Sequence, residues 1–152
     1  MELKPKVVFD MKEMNETEII DFLMNGTKTG KLATVREDGH PHVAPIWFVW
    51  NEGKIIFCTG DSSVKAKNIR YNPQVSICVD DESPPYAFVI IQGTAKLFDN
   101  HKDLLKWNTI FGGRYMGEKL AEVYGKRNAV EGSLLVEITP TKMISNKDVT
   151  GW

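Results

Sequence analysis

Apolar positions recur first at helical spacing and then at strand spacing. Ile19, Ile20, Leu23 and Met24 make one stripe on a helix from Asn15 to Asn25. Asn15 and Glu18 have capping-box spacing at its start, and Gly26 stops it. From there the pattern turns to strands, at 31–36, 41–50 and 54–59, with turns at Asp38-Gly39 and Glu52-Gly53. A short basic helix over 62–71 ends at Asn72-Pro73, because the residue before a proline disfavours helix. Gln74–Asp80 reads as a strand, Asp81–Pro85 as a rigid polar loop, and Tyr86–Phe98 as a long strand with a bulge or bend at Gly93. Two helical segments, 100–111 and 117–124, flank Gly112-Gly113. Leu134–Ile138 and Lys142–Ser145 read as closing strands around Thr139-Pro140.

The pattern is therefore mainly β with short helices. Most successive strands are joined by turns too short for parallel crossovers, so the sheet is expected to be antiparallel. Many such strands in one small domain favour a closed barrel, which removes sheet edges. The 152 residues suffice for one domain with a real core.

Composition narrows the partners. A net charge of −1 carries no broad positive excess, so nucleic acid is not expected and any anion site must be local. No apolar run is long enough to span a membrane, and Met1–Lys6 lacks the apolar region of a secretory signal. Cys58 and Cys78 each sit in an apolar β-like run without C-x-x-C spacing, which reads as buried, reduced thiols. A cytoplasmic location is the expectation.

The chemistry concentrates where the third strand meets the basic helix. That helix begins with Ser62, Ser63 and Lys65. A helix start offers free N–H groups and partial positive charge, and a lysine adds a full one, which suits an anchored phosphate. The alternative is that Lys65, Lys67 and Arg70 form a solvated face. Asp61 argues against a bare anion hole unless it caps the helix and points away.

Other signals weigh less. Trp47 and Trp50 face opposite sides of a strand, as core, interface or ring contacts, and Phe48 belongs to the core. His40 and His42 share a strand face but lack further ligands at usable spacing, so no metal site is expected. The run Gly112–Gly117 lacks the lysine of a P-loop; it is either a helix connector or a loop reaching a pocket with Arg114 and Tyr115. No nucleophile elbow or carboxylate pair is present, and Asp80, Asp81 and Glu82 read as a strand-end cluster. These absences suit a protein whose cofactor performs the chemistry.

From Gly30 to about Ile144 the chain resembles the pyridoxamine 5′-phosphate oxidase-like superfamily, the flavin-binding split β-barrels. The residues that carry this are Lys31-Leu-Ala-Thr34, Asp38-Gly39 with Pro41-His-Val-Ala-Pro-Ile-Trp-Phe48, Thr59 with Ser63-Val-Lys-Ala-Lys-Asn68, and Asn72-Pro-Gln-Val-Ser76. The runs Pro84-Pro-Tyr-Ala-Phe-Val89, Gly113-Arg-Tyr-Met-Gly117 and Arg127-Asn-Ala-Val130 resemble the branch that uses the deazaflavin coenzyme F-420.

The resemblance implies an antiparallel split β-barrel, a homodimer with cofactor sites at the subunit interface, and F-420 or FMN as cofactor. It places Val43, Ala44, Pro45, Ile46 and Trp47 along the ring, Cys58 and Thr59 beside the ribityl chain and phosphate, and Lys65 on the phosphate. Asn68, one helical turn on, is expected on the same face. Val64 stands where many flavin-using members carry arginine, and the chain shows no counterpart of the C-terminal substrate-binding segment of true pyridoxamine phosphate oxidases. Vitamin B6 oxidation is therefore not expected.

The implied activity is hydride transfer between the ring and a small conjugated substrate, with no catalytic side chain required. Tyr86, Arg114 and Tyr115 are candidate substrate contacts, and either tyrosine is a candidate proton donor. A non-catalytic flavin-binding or stress-related protein that carries or senses the cofactor is the alternative. A small barrel without cofactor is the third.

Overall fold

The computed structural model describes residues 11–151. The start Met1–Lys6, read above as lacking a secretory signal, lies outside them. The order is α1 (Glu16–Met24), β1 (Gly30–Val35), β2 (Pro41–Ile46), β3 (Val49–Asn51), β4 (Lys54–Gly60), α2 (Val64–Tyr71), β5 (Gln74–Asp80), β6 (Phe88–Phe98), α3 (His101–Met116), α4 (Glu118–Asn128) and β7 (Ser133–Asn146). The capping box of α1 is formed: Asn15 accepts from the Glu18 amide, and Glu18 accepts from the Asn15 amide.

The seven strands of the described residues form one sheet in the order β2-β1-β5-β6-β7-β4-β3, and every pairing among them is antiparallel. β2 and β3 are its two edges, yet only Trp47 and Phe48 separate them in sequence. Three Cα steps span at most about 11 Å, so the sheet must curl until its edges nearly meet. This corrects the closed barrel. β2 and β3 share no ladder, so the result is a curled, open sheet with a seam.

The seam also corrects the single strand over 41–50. The chain leaves β1 after the Ile46–Gly30 pair, crosses at Trp47-Phe48 and joins β4 at Val49. The two closing strands are one, β7, which pairs with β6 from Leu135 to Asn146. Pro140 is tolerated there because the register slips beside it: Gly93 faces Pro140 while Gln92 faces Lys142. A Cβ at Gly93 would stand 2.6 Å from the Thr139 carbonyl oxygen, so the predicted bulge needs glycine.

Gly112 and Gly113 lie inside α3 rather than between helices. They let α3 pack closely on α4, since a Cβ at Gly112 would stand 2.6 Å from the Tyr124 Cβ. The break comes at Gly117, whose φ of 95° suits glycine.

Leu32, Phe48, Ile55, Phe57, Ile77, Val89, Ile91, Val136 and Ile138 fill the curl and are fully or nearly fully buried, with Leu23 of α1 packed in. β4 breaks the in–out alternation because it is covered on both sides. Its outer residue Ile56 packs with Leu104 and Phe111 of α3. That outer cluster seats α3 across β4, and with it one wall of the site. No helix among the described residues is long and apolar enough to cross a membrane.

Candidate functional site

The strand-to-helix corner is built by hydroxyls. At the end of β4 the Thr59 Oγ1 lies 2.9 Å from the Ser63 Oγ, and Ser63 caps α2 by accepting from the Ala66 amide at 3.1 Å. Asp61 is not the cap. Its amide donates to the Gly132 carbonyl, its own carbonyl accepts from Arg70, and the residue is exposed. Lys65, in the first turn, is half-buried and has no hydrogen-bond or ion-pair partner among the described residues. Lys67 and Arg70 are exposed.

Lys65 opens on a cavity of about 400 Å³. Pro45, Ile46 and Trp47 form one wall at the seam, Cys58, Thr59 and Gly60 a second, and Asn108, Phe111 and Gly112 of α3 a third, with Asn128 and Ser133 at the rim. A Cβ at Gly60 would touch only the Gly132 oxygen, at 4.0 Å, so the bare backbone there is left open rather than demanded by packing. Burial pushes the Cys58 thiol pKa up, and a hydrogen bond with Asn108 opposes that rise.

The seam wall is pinned from behind. Trp47 stacks on Tyr115 at 4.9 Å with rings 5° from parallel, and meets Tyr124 at a tilt. Tyr115 donates to the Lys28 carbonyl at 2.8 Å and accepts from the Phe48 amide at 3.1 Å. Arg114 donates to the carbonyls of Leu23, Gly26 and Phe48 while lying over the Phe48 ring. Burial raises the Tyr115 phenol, against the Phe48 hydrogen bond and the Arg114 charge.

Of the residues expected at a cofactor, the structure brings Pro45, Ile46, Trp47, Cys58, Thr59 and Lys65 to one cavity. Val43 and Ala44 lie farther along β2 and do not line it; Val43 is 68% exposed. Asn68 is a correction. It is buried and donates to the Thr34 hydroxyl at 3.0 Å, because α2 turns Ala66, Asn68 and Ile69 onto the sheet while Lys65 stays at its flank.

The structure does not bring the substrate candidates to this cavity. Tyr86 sits half-exposed in a groove with Cys78 and Phe88, away from this cavity. Arg114 and Tyr115 stand behind Trp47, their polar ends committed to backbone, and do not line the cavity. The thiols are free but only half-buried: Cys58 lines the cavity and Cys78 lies in the Tyr86 groove. Among the described residues no three His, Cys, Asp or Glu side chains gather as a metal would need.

Sequence reasoning missed the α3 wall. A signal existed, since Asn108 sits on the stripe of Leu104 and Phe111, where a polar residue is out of pattern.

A family model described as pyridoxamine 5′-phosphate oxidase matches residues 16–147. Among solved structures, a conserved hypothetical protein from Mycobacterium tuberculosis superposes with a TM-score of 0.79 at 27% identity, over 96% of this chain and 91% of its own. An F420 reductase gives 0.66 at 24% identity, over 82% and 94%. A haem storage protein from Vibrio cholerae gives 0.68 at 23%, over 88% and 95%. The last two share the fold with this chain, and their named ligands differ from each other.

Proposed function

The chain belongs to the pyridoxamine 5′-phosphate oxidase family, and from that premise we propose that it is an oxidoreductase holding a flavin-type cofactor, coenzyme F-420 or FMN, in the cavity between β4, α2 and α3. The observation that carries this reading is Lys65: a half-buried cation without a partner among the described residues, facing the cavity beside the hydroxyls of Thr59 and Ser63. A phosphate group is the natural occupant of such a corner.

The rest of the cavity fits the remainder of the molecule. Its volume lies within the ~300–1,000 Å³ of ordinary small-molecule sites. Its far wall is an edge strand, so half of the backbone groups of β2 have no ladder partner and are free for the polar rim of a ring. Gly60 leaves bare backbone at the phosphate end. The bound cofactor supplies hydride exchange at its ring. The chain's own residues hold the phosphate at Lys65, orient the ring along Pro45–Trp47 and exclude water through Phe111 and Trp47. The substrate is a small conjugated molecule over the ring's open face.

A second reading, a protein that carries or senses the cofactor without turnover, is favoured by one observation. Tyr115 is tied to backbone and Tyr86 lies elsewhere, so neither expected proton donor lines the cavity. The absorbance of the purified protein and its titration with FMN and F-420 test the shared claim, and binding of neither would contradict it. Turnover of the reduced cofactor with quinones, enones and tetrapyrroles then separates enzyme from carrier.

The active unit is a homodimer with the site at its interface. Val43, Pro41 and Pro45 are exposed on an unpaired edge strand, an apolar strip that a second copy would cover. Sedimentation is expected to give twice the 17.2 kDa chain mass, and a monomer at micromolar concentration would contradict this. The two free thiols support a reducing, cytoplasmic location, which cell fractionation would test.

A further inference from the structure

We propose that Asn108 reads the hydroxylated chain of the cofactor, its carboxamide oxygen accepting a hydrogen bond from a ribityl hydroxyl at the middle of the cavity. The assignment rests on the flavin-type reading above and adds to it a residue of α3 that selects for a polyol.

Asn108 is only 2% exposed, and what surface it keeps lines the cavity. Its Nδ2 donates to the Leu104 carbonyl of its own helix at 2.9 Å. Among the described residues no group donates to its Oδ1. The oxygen is not sealed in the core, where the one side-chain polar atom without a partner among the described residues is His42 Nδ1, so it is open to the cavity; asparagine is also a poor residue for a helix interior. Leu104 and Phe111, on the same stripe, are apolar and buried. A leucine at 108 would continue that stripe, so the polar residue is better explained by what the cavity holds.

Position decides which part of the ligand it meets. Asn108 lies against Cys58, one residue from Thr59, and lines the same cavity as Pro45–Trp47 and Lys65. The ring belongs at the seam and the phosphate at Lys65, so the link between them passes Asn108. A fully ionised phosphate could not satisfy the oxygen, because it offers no hydrogen and would be repelled by it. A chain of hydroxyls donates freely. FMN and F-420 carry the same ribityl chain, so the assignment does not depend on which of them is bound.

The experiment compares wild type with Asn108→Leu, which keeps the branched shape of the side chain and removes the acceptor. The probes are riboflavin and the deazariboflavin core of F-420, each set against the analogue whose chain is cut back to a methyl group. Loss of one hydrogen bond is expected to weaken the chain-bearing ligands about three- to tenfold and to leave the chainless ligands unchanged. An equal loss for both kinds would mean a merely structural residue, and no loss for either would mean no contact; each overturns the proposal. Should Asn108→Leu fail to fold, Asn108→Ala is judged on the same ratio. If wild type binds neither ring system, the flavin reading falls and this assignment with it, whereas wild-type binding with an unchanged ratio sinks Asn108 alone.

Discussion

Lys65 and Lys67 stand two residues apart on one short helix, and their surroundings separate them. Lys67 is exposed, while Lys65 is half-buried at a cavity with no partner among the described residues. Arg114 shows the reverse outcome: a residue expected to meet substrate instead satisfies three backbone carbonyls around the seam. Its replacement by methionine keeps the alkyl packing but leaves those carbonyls without their charged donor. That should cost about 2–3 kcal/mol in urea unfolding. The same variant should speed hydrogen exchange in the segments that supply those carbonyls. A loss below about 0.5 kcal/mol, the usual range for an inert surface change, would show that the seam does not depend on Arg114.

At the scale of elements, the α3–α4 pair depends on glycines as a contact surface. Gly112→Ala gains about 1 kcal/mol of helix propensity, yet places a methyl 2.6 Å from the Tyr124 Cβ and 3.2 Å from the Ala121 carbonyl oxygen. Overpacking of this kind costs about 1–3 kcal/mol, so net destabilisation is expected in thermal or urea unfolding. Net stabilisation would contradict the close packing. The same residues show why some elements were legible in the sequence and others were not. The capping box of α1, the Asp38-Gly39 turn and the Asn72-Pro73 stop are local, and they stand where expected. Gly112-Gly113 signals either a turn or a close approach, and only the neighbouring helix decides which. Pro140 breaks a strand unless a bulge accommodates it, which depends on its partner Gly93, far off in sequence. The strand over 41–50 split because its two halves pair with opposite edges of the sheet.

The whole molecule is a sheet curled on its core with a seam, and the site lies where seam, β4 and α3 meet. Two of those three walls follow from local patterns and the resemblance. The third, with Asn108 and Phe111, is set by packing of α3 on the outer face of β4 and has no local signature beyond one polar residue on an apolar stripe. The same logic displaced Asn68, which was expected on the Lys65 face but turns onto β1. Protonation is also a property of the whole fold. Burial raises the Cys58, Cys78 and Tyr115 pKa values, with the Asp80 charge adding to the rise at Cys78. The native state therefore keeps protons that the unfolded chain releases, and stability falls as pH rises past the ordinary thiol range. On the acid side, hydrogen bonding lowers Glu18 through the Asn15 amide and then Lys147, and Asp148 through Thr150 and then Lys12. Their contribution is present above the ordinary carboxylate range and is lost as pH falls through the lowered values. Urea unfolding at acid, neutral and alkaline pH should give a maximum between roughly pH 5 and 8. Serine at positions 58 and 78 should flatten the alkaline limb; an unchanged limb would mean the thiols do not set it.

The central claim is that this cavity holds a flavin-type cofactor by its phosphate at Lys65. Titration of wild type and Lys65→Ala with FMN and with F-420 tests it most directly. Wild type is expected to bind one of them, and the variant to lose about 1–3 kcal/mol of that affinity, five- to 150-fold. Equal affinities in the two proteins would contradict it.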